Sequence, residues 1–230
     1  MWTELTDALL HLFYPMLCPS CDEEETDTSG MLCFGCQHSL PFTGFEDIRN
    51  NAVEKLFWGR VDICAAFATM FYHEKSSIQR IVHEIKYKNN PELAMHMGKL
   101  MGIRMDNVIK TYCIDVCMPM PLHPKKMKKR GYNQAALLCK GIETTGMIPM
   151  IEQVLVRRKH TATQTKKSRI ERWDNVGDVF SVEQPESILG KHILLVDDVI
   201  TTGASTEACA QTLFQAGAGK VSIAGLAFTP

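Results

Sequence analysis

The sequence predicts an α/β layer protein with a small metal-held module at its N-terminus. Three observations predict it. From about Arg60 onward, short apolar runs alternate with stretches of helical period. Residues 193–196 are four aliphatics in a row, the mark of a parallel strand covered on both faces. Four of the nine cysteines fall in two tight pairs near the N-terminus, a pattern of metal ligands in a reducing compartment more than of a disulfide framework.

Taken in order, residues 1–14 read as a short helix with Trp2, Leu5, Leu9 and Phe13 on one side, broken by Pro15. Residues 18–40 are loop-rich and too thin in large apolar side chains to build a core. Residues 61–72 read as one or two strands. Ile78, Ile81, Val82 and Ile85 then recur at i, i+3, i+4 and i+7, a helix burying one face. Leu93, Met97, Leu100, Met101 and Met105 repeat that spacing, and the methionines read as core packing. Residues 114–118 form a buried strand ending at Pro119 and Pro121. A helix starts at Asn133, a short strand covers 154–156, and a helix over 205–217 stops at Gly217. Residues 221–228 close the pattern as a strand.

The 230 residues leave room for one ordinary domain and a small appendage. With 45% hydrophobic and 22% charged residues the chain is globular, not disordered. No apolar run approaches the ~18 residues of a membrane span. Glu4 and Asp7 stand where a secretory signal would carry Lys or Arg. The expectation is a cytoplasmic protein without a membrane span.

Cys18 and Cys21, then Cys33 and Cys36, form two CxxC pairs eleven residues apart. Each such turn brings two thiolates to one side of a tight loop, and two turns complete the tetrahedral sulfur shell of Zn²⁺. The competing reading is a redox dithiol. Four protein ligands leave no open position, so the metal expected here is structural. The other five cysteines lie in apolar stretches and read as small core residues.

The net charge of −1 hides a segregation. Residues 123–172 hold 13 of the 25 basic residues against three acidic ones, a net of +10, leaving −11 elsewhere. Such polarity suits a polyanion: phosphates, pyrophosphate or nucleic acid. A solvated Lys/Arg face looks the same, so the run alone leaves both readings open.

The most informative stretch is 193–205. A buried strand ends in Asp197 and Asp198, and a hydroxyl- and glycine-rich turn of Thr201, Thr202, Gly203, Ala204 and Ser205 opens a helix. Free N–H groups at a helix N-terminus, with Thr and Ser hydroxyls, cradle a phosphate monoester. Gly203 lets backbone approach closely. The two carboxylates suit sugar hydroxyls or Mg²⁺. A strand ending in Asp-Asp also fits an ATPase, but the chain has no GxxxxGK[ST], and no GxGxxG fingerprint.

This stretch resembles the phosphoribosyl pyrophosphate (PRPP) motif of type I phosphoribosyltransferases. The wider chain resembles the ComF family, which joins a zinc-ribbon-like N-terminus to such a domain. Lys86-Tyr87, the run from Pro121-Leu122-His123-Pro124 to Arg130-Gly131-Tyr132-Asn133-Gln134, and Thr161, Gln164, Glu171-Arg172 and Asn175 match as well. The resemblance implies a zinc module over residues 1–45 and a phosphoribosyltransferase-like domain over 46–230. It implies that Asp197 and Asp198 bind ribose hydroxyls, that Thr201, Thr202, Gly203, Ala204 and Ser205 hold the 5′-phosphate, and that Leu122, His123 and Lys125 lie in the pyrophosphate loop. Residues 157–172 fall where the family has its mobile catalytic loop, making Arg157, Arg158, Lys159 and Arg172 the candidate catalytic cations. Purine-salvage relatives carry an aspartate base where this chain has Thr201, so 6-oxopurine salvage is not expected.

The implied function is a PRPP- and Mg²⁺-dependent glycosyltransferase of nucleotide metabolism, amidophosphoribosyltransferase-like but without glutamine-dependent amidotransfer. The alternative implied by other family members is a single-stranded-DNA-handling factor in natural competence, working with competence proteins on the PRPP fold as a scaffold. The surplus of cations at 125–130 favours the alternative. The sparsity of stacking partners nearby, only Tyr132 and Trp173, weighs against it.

Overall fold

The structure, a computed structural model, describes residues 17–23, 31–146, 148–158 and 179–230. Two short helices, α1 (Phe34–His38) and α2 (Ala52–Lys55), precede strand β1 (Ala66–Phe71). Helices α3 (Ser77–Tyr87), α4 (Pro91–Arg104) and α5 (Asp106–Tyr112) lead to β2 (Val116–Pro119). Helices α6 (Pro124–Arg130) and α7 (Gln134–Glu143) lead to β3 (Leu155–Arg157) and β4 (Phe180–Val182). Strand β5 (His192–Ile200), α8 (Ala204–Gln215) and β6 (Lys220–Phe228) complete the chain.

The central sheet has the order β1-β6-β5-β2, and every pairing in it is parallel. Its spine is β5, whose alternate side chains enter opposite layers. Leu194 and Val196 join the apolar cluster of α3, α4 and α7, while Ile193 and Leu195 join that of α8. Residues 193–196 are all buried, as expected of a strand with helices on both faces. In α3, Ile78, Ile81, Val82 and Ile85 are buried, each contributing roughly 1.5–3 kcal/mol. Met97, Met101 and Met105 are fully buried core side chains, as their spacing predicts. Helices α4 and α7 meet backbone to backbone: a Cβ on Gly98 would lie 2.2 Å from the Leu138 carbonyl oxygen, and one on Gly141 2.3 Å from that of Met95.

Four details differ from the sequence reading. The basic run is a helix, α6. It is nucleated by His123, whose Nδ1 accepts from Lys125 N–H, and by Pro124 at its first position, and is stopped by Gly131 at φ 80°. Its lack of apolar period hid it. The expected strand over 61–72 is regular only from Ala66 to Phe71. Strand β4 pairs antiparallel with β3 and was too short to read. Cys113 is exposed at the end of α5, and Cys64 is half-buried; Cys117, Cys139 and Cys209 are buried as expected.

The described residues of the N-terminal segment share the core of the rest of the chain. Cys18, Leu32, Cys33 and Leu40 sit in the same apolar cluster as the buried faces of α3 and α4. Phe42 bridges Met70 of β1, and Thr43 N–H donates to Thr69 O at 3.0 Å. The expected helix over 1–14 lies outside the described residues, as do Lys159, Thr161, Gln164, Glu171, Arg172, Trp173 and Asn175. Among the described residues no helix is long and apolar enough to cross a membrane.

Candidate functional site

The sequence predicts that β5 ends in two carboxylates; the strand instead carries Asp197 and Asp198 within its last four residues and continues through the buried Ile200. Asp198 N–H donates to Asp197 Oδ1 at 2.8 Å, and Lys86 Nζ of α3 lies 2.9 Å from Asp198 Oδ1. Lys86 and Asp198 keep side-chain exposures of only 19% and 17%, so the pair is little screened by water. Asp197 retains some exposed surface, but protein surrounds its carboxyl on the inner side. That burial, joined by the neighbouring Asp198 charge, raises its pKa to about 7 against the opposing pull of the Asp198 N–H and Lys86.

Beyond the strand, Thr201, Thr202, Ala204 and Ser205 are exposed and Gly203 is buried. Helix α8 starts at Gly203; its first amide, Ala204 N–H, donates to Thr202 Oγ1 at 3.5 Å, and the amides of the first turn point out of the helix N-terminus. Gly203 sits at φ 71°, and a Cβ there would come within 2.9 Å of the Phe57 ring. The close approach expected of this glycine is thus to the fully buried Phe57. The turn has an anchor that sequence reasoning missed. Arg60 donates to Leu56 O at 2.8 Å and Thr202 O at 3.0 Å, and pairs with Glu207 of α8. Arg60 stands 142 residues from Thr202 in sequence, and no local signal marks it.

Leu122 and His123 form the turn between β2 and α6, and Lys125 is exposed in the first turn of α6. Met120 N–H donates to Val196 O at 2.8 Å, tying this turn to the residue before Asp197. The run 130–134 braces the same corner. Asn133 Nδ2 donates to Met120 O (2.9 Å), Tyr132 Oη to Ile85 O (2.5 Å), and Arg130 to Gln134 Oε1 (2.7 Å). Lys86 and the turn are thereby fixed to one frame. Arg157 ends β3 with its guanidinium 5.4 Å from the Phe180 ring centroid, and Arg158 N–H donates to Val179 O at 2.9 Å. Burial holds the Cys209 thiol on α8 well above its ordinary value, with the Asp197 charge adding to this and Arg157 opposing it.

The four paired cysteines converge, with their sulfurs all within 4.8 Å of one another. Cys21 Sγ and Cys33 Sγ are 3.9 Å apart. Backbone N–H groups of Ser20 and Cys33 point at Cys18 Sγ (3.5 and 3.4 Å), and that of Cys36 at Cys33 Sγ (3.4 Å). Amides aimed at sulfur stabilise thiolates, and four thiolates at this spacing fit a closed tetrahedral Zn²⁺ site. The cluster could hold zinc.

No protein-family model matches the chain. It is similar to the DNA utilization protein YhgH of Escherichia coli (strain K12), with 29% identity over 146 residues. That match covers 62% of this chain and 63% of the relative's length. Competence protein F of Haemophilus influenzae is 26% identical over 231 residues, covering 94% of this chain and 98% of that protein. Competence protein ComFC of Bacillus subtilis is 31% identical over 102 residues, covering 44% and 39%. Among solved structures, the glutamine phosphoribosylpyrophosphate amidotransferase of B. subtilis is similar at TM-score 0.43 and 19% identity, over 63% of this chain and 30% of that one. Adenine phosphoribosyltransferase from Saccharomyces cerevisiae is similar at TM-score 0.39 and 16% identity, over 60% and 70%. The chain is a homologue of the competence proteins F and ComFC and of YhgH, where the resemblance to the ComF family pointed. A parallel sheet flanked by helices beside a four-cysteine cluster is the fold class that resemblance implies.

Proposed function

We propose that the chain binds PRPP with Mg²⁺ and transfers its 5-phosphoribosyl group to an acceptor. The observation that carries this reading is the end of β5: Asp197 and Asp198, with Lys86 paired to Asp198, stand shortly before the exposed hydroxyls and the helix N-terminus that open α8. Asp197 and Asp198 accept hydrogen bonds from the ribose hydroxyls, and residues 201–205 take the 5′-phosphate. The turn of Leu122, His123 and Lys125 faces the pyrophosphate. A bound Mg²⁺ supplies charge neutralisation on the diphosphate. In transfer, the C1–O bond breaks and pyrophosphate leaves with the electron pair. The acceptor atom bonds to C1 and releases its proton to water. Arg157, Arg158, Lys159 and Arg172 are the cations assigned to the developing leaving-group charge. Residues 1–45 form the zinc module and 46–230 the transferase-like domain of a cytoplasmic protein. Calorimetry with PRPP and Mg²⁺ tests the reading; wild-type and Asp197→Asn/Asp198→Asn proteins of equal affinity would overturn it.

A second reading, single-stranded DNA handling, is favoured by one geometric fact. Tyr87 is 58% exposed at the end of α3, with the Arg130 guanidinium 5.5 Å from its ring centroid. It shares a depression of about 330 Å³ with Lys86, Lys128 and Lys129. An exposed ring among cations is what base stacking beside a phosphate track needs, and the relatives' competence and DNA-utilization names agree with that use. Neutralising Lys125, Lys126, Lys128 and Lys129 is expected to weaken oligonucleotide binding across sequences and flatten its salt dependence by roughly 0.7 of slope per lost single-strand contact. No oligonucleotide affinity at low salt would remove this reading.

A further inference from the structure

The first turn of α8 carries one acid, Glu207, whose N–H donates to Gly203 O at 2.8 Å. A negative side chain there ordinarily stabilises a helix by facing its positive end. At a helix end that takes an anion, the same charge competes with the ligand. The structure withdraws it. Arg60 pairs with Glu207 Oε2, and Gln211 Nε2, one turn further along α8, donates to Glu207 Oε1 at 3.3 Å. Gln211 Nε2 also donates to Arg60 O at 3.4 Å, so the three residues form one closed cluster.

The same guanidinium sets the orientation of a peptide. Arg60 Nη1 donates to Thr202 O at 3.0 Å and to Leu56 O at 2.8 Å. The Thr202–Gly203 peptide is trans, so its C=O and N–H point in opposite directions. With the carbonyl drawn to Arg60, the Gly203 N–H is directed to the other face of the turn. A peptide preceding glycine turns over at little cost, since glycine takes either sign of φ, and Gly203 sits at φ 71°. Turned over, this peptide would present a carbonyl oxygen where the amide stands, and that oxygen would repel an anion. From this geometry we infer that Arg60 is a positioning residue for the phosphate group. Its one guanidinium holds the Thr202–Gly203 peptide with the N–H toward the ligand and neutralises the acid of the helix's first turn. The inference rests on the sugar-phosphate site proposed above. It adds to that site a residue that touches no ligand, yet decides whether the turn accepts or repels a phosphate.

The test is calorimetry of ribose 5-phosphate with Mg²⁺ on the full chain, beside thermal unfolding of each variant. Arg60→Ala is expected to weaken binding at least about tenfold, the scale of one charge-assisted hydrogen bond. Glu207→Gln alone is expected to leave affinity unchanged or raise it, although it removes an ion pair and a favourable helix-end charge. The discriminating variant is Arg60→Ala/Glu207→Gln. With the acid gone it should regain part of the affinity that Arg60→Ala loses, without regaining melting temperature, a recovery that a purely structural role does not produce. Arg60→Lys keeps the cation but not the fork that reaches three oxygens. Its affinity should fall between those of wild type and Arg60→Ala, and it replaces Arg60→Ala in both comparisons should that variant not fold. Wild-type affinity in the Arg60 variant, or a loss that Glu207→Gln does not relieve, would overturn the inference while leaving the sugar-phosphate site standing. Failure of ribose 5-phosphate to bind the wild-type chain would remove that site, and the inference with it.

Discussion

The corner of β5 and α8 and the four-cysteine module offer a contrast in how a small site is held in shape. At the corner, Asp197 and Asp198 lie in the last third of a nine-residue strand paired along β6 and, up to Val196, along β2, and Phe57, Arg60 and Asn133 fix the surrounding turns. The frame exists without its ligand, and the carboxylates are held where their own charges repel. In the module, one five-residue helix and two turns carry four sulfurs; among the described residues Cys18, Leu32, Cys33 and Leu40 are buried in the core, with Cys21 and Cys36 packed against it. A metal held by the four sulfurs would be most of that frame. A corner framed by the fold keeps its shape without a ligand, whereas a metal-held module would lose its shape with the metal.

The largest expected effect follows from the module's side of that contrast. Zinc binding contributes on the order of 10 kcal/mol to small thiolate modules. Chelation, or Cys33→Ser, is expected to expose residues 15–40 to protease while the parallel sheet keeps its circular dichroism. Metal analysis of the untreated protein should give about one zinc per chain. A metal-free protein equally resistant to protease in that region would break the contrast.

The corner should respond in the opposite sense. Asp197→Asn is expected to weaken PRPP binding by at least about tenfold, or ~1.4 kcal/mol, yet leave the melting temperature unchanged or raised. Removing a buried carboxylate beside a like charge relieves repulsion that only the ligand exploits. A variant that loses both binding and stability would make Asp197 a structural residue. Gly203→Ala separates frame from ligand further. A side chain at φ 71° pressed on the Phe57 ring should cost about 1–3 kcal/mol of stability. Phe57→Leu, by opening space, should recover part of that loss in the double variant.

These asymmetries explain what the sequence could and could not disclose. The four sulfurs were legible because metal coordination needs fixed spacing in a short segment. The Asp197-Asp198 turn stood out as a candidate site because strand, carboxylates and a hydroxyl-rich turn are contiguous. The frame around them was not. Arg60 acts across 142 residues, Lys86 meets Asp198 from another element, and Gly203 answers to Phe57 as well as to any ligand. Helix α6 escaped because its stability comes from its caps at His123 and Gly131 and not from an apolar stripe. Tyr87 was missed as an aromatic beside the basic run because stacking partners were sought nearby in sequence, and the partner of Arg130 lies on α3. Tertiary convergence leaves no local periodicity to read.

The smallest effect is a matter of pH, and it probes the corner without substitution. Asp197 is raised to about 7 in the folded chain, first by burial and then by the Asp198 charge. An unfolded aspartate ionises near pH 4. Between those values the native state binds more protons than the unfolded state, so this group's contribution lowers stability as pH rises from about 4 to about 7 and changes little above. Ligand binding runs the other way. Ribose hydroxyls donating to the carboxylate, or Mg²⁺ near it, favour the ionised form. PRPP affinity should therefore climb by up to about tenfold between pH 6 and 8 and then level off. Titration of PRPP binding at fixed ionic strength is the measurement, with Asp197→Asn as the control. Because PRPP's own phosphates also titrate near pH 6, the variant's residual slope reports the ligand, and the difference between the two slopes reports Asp197. Parallel slopes would mean that the proton at the strand end is not linked to the ligand, and that the carboxylates repel one another for a reason other than PRPP.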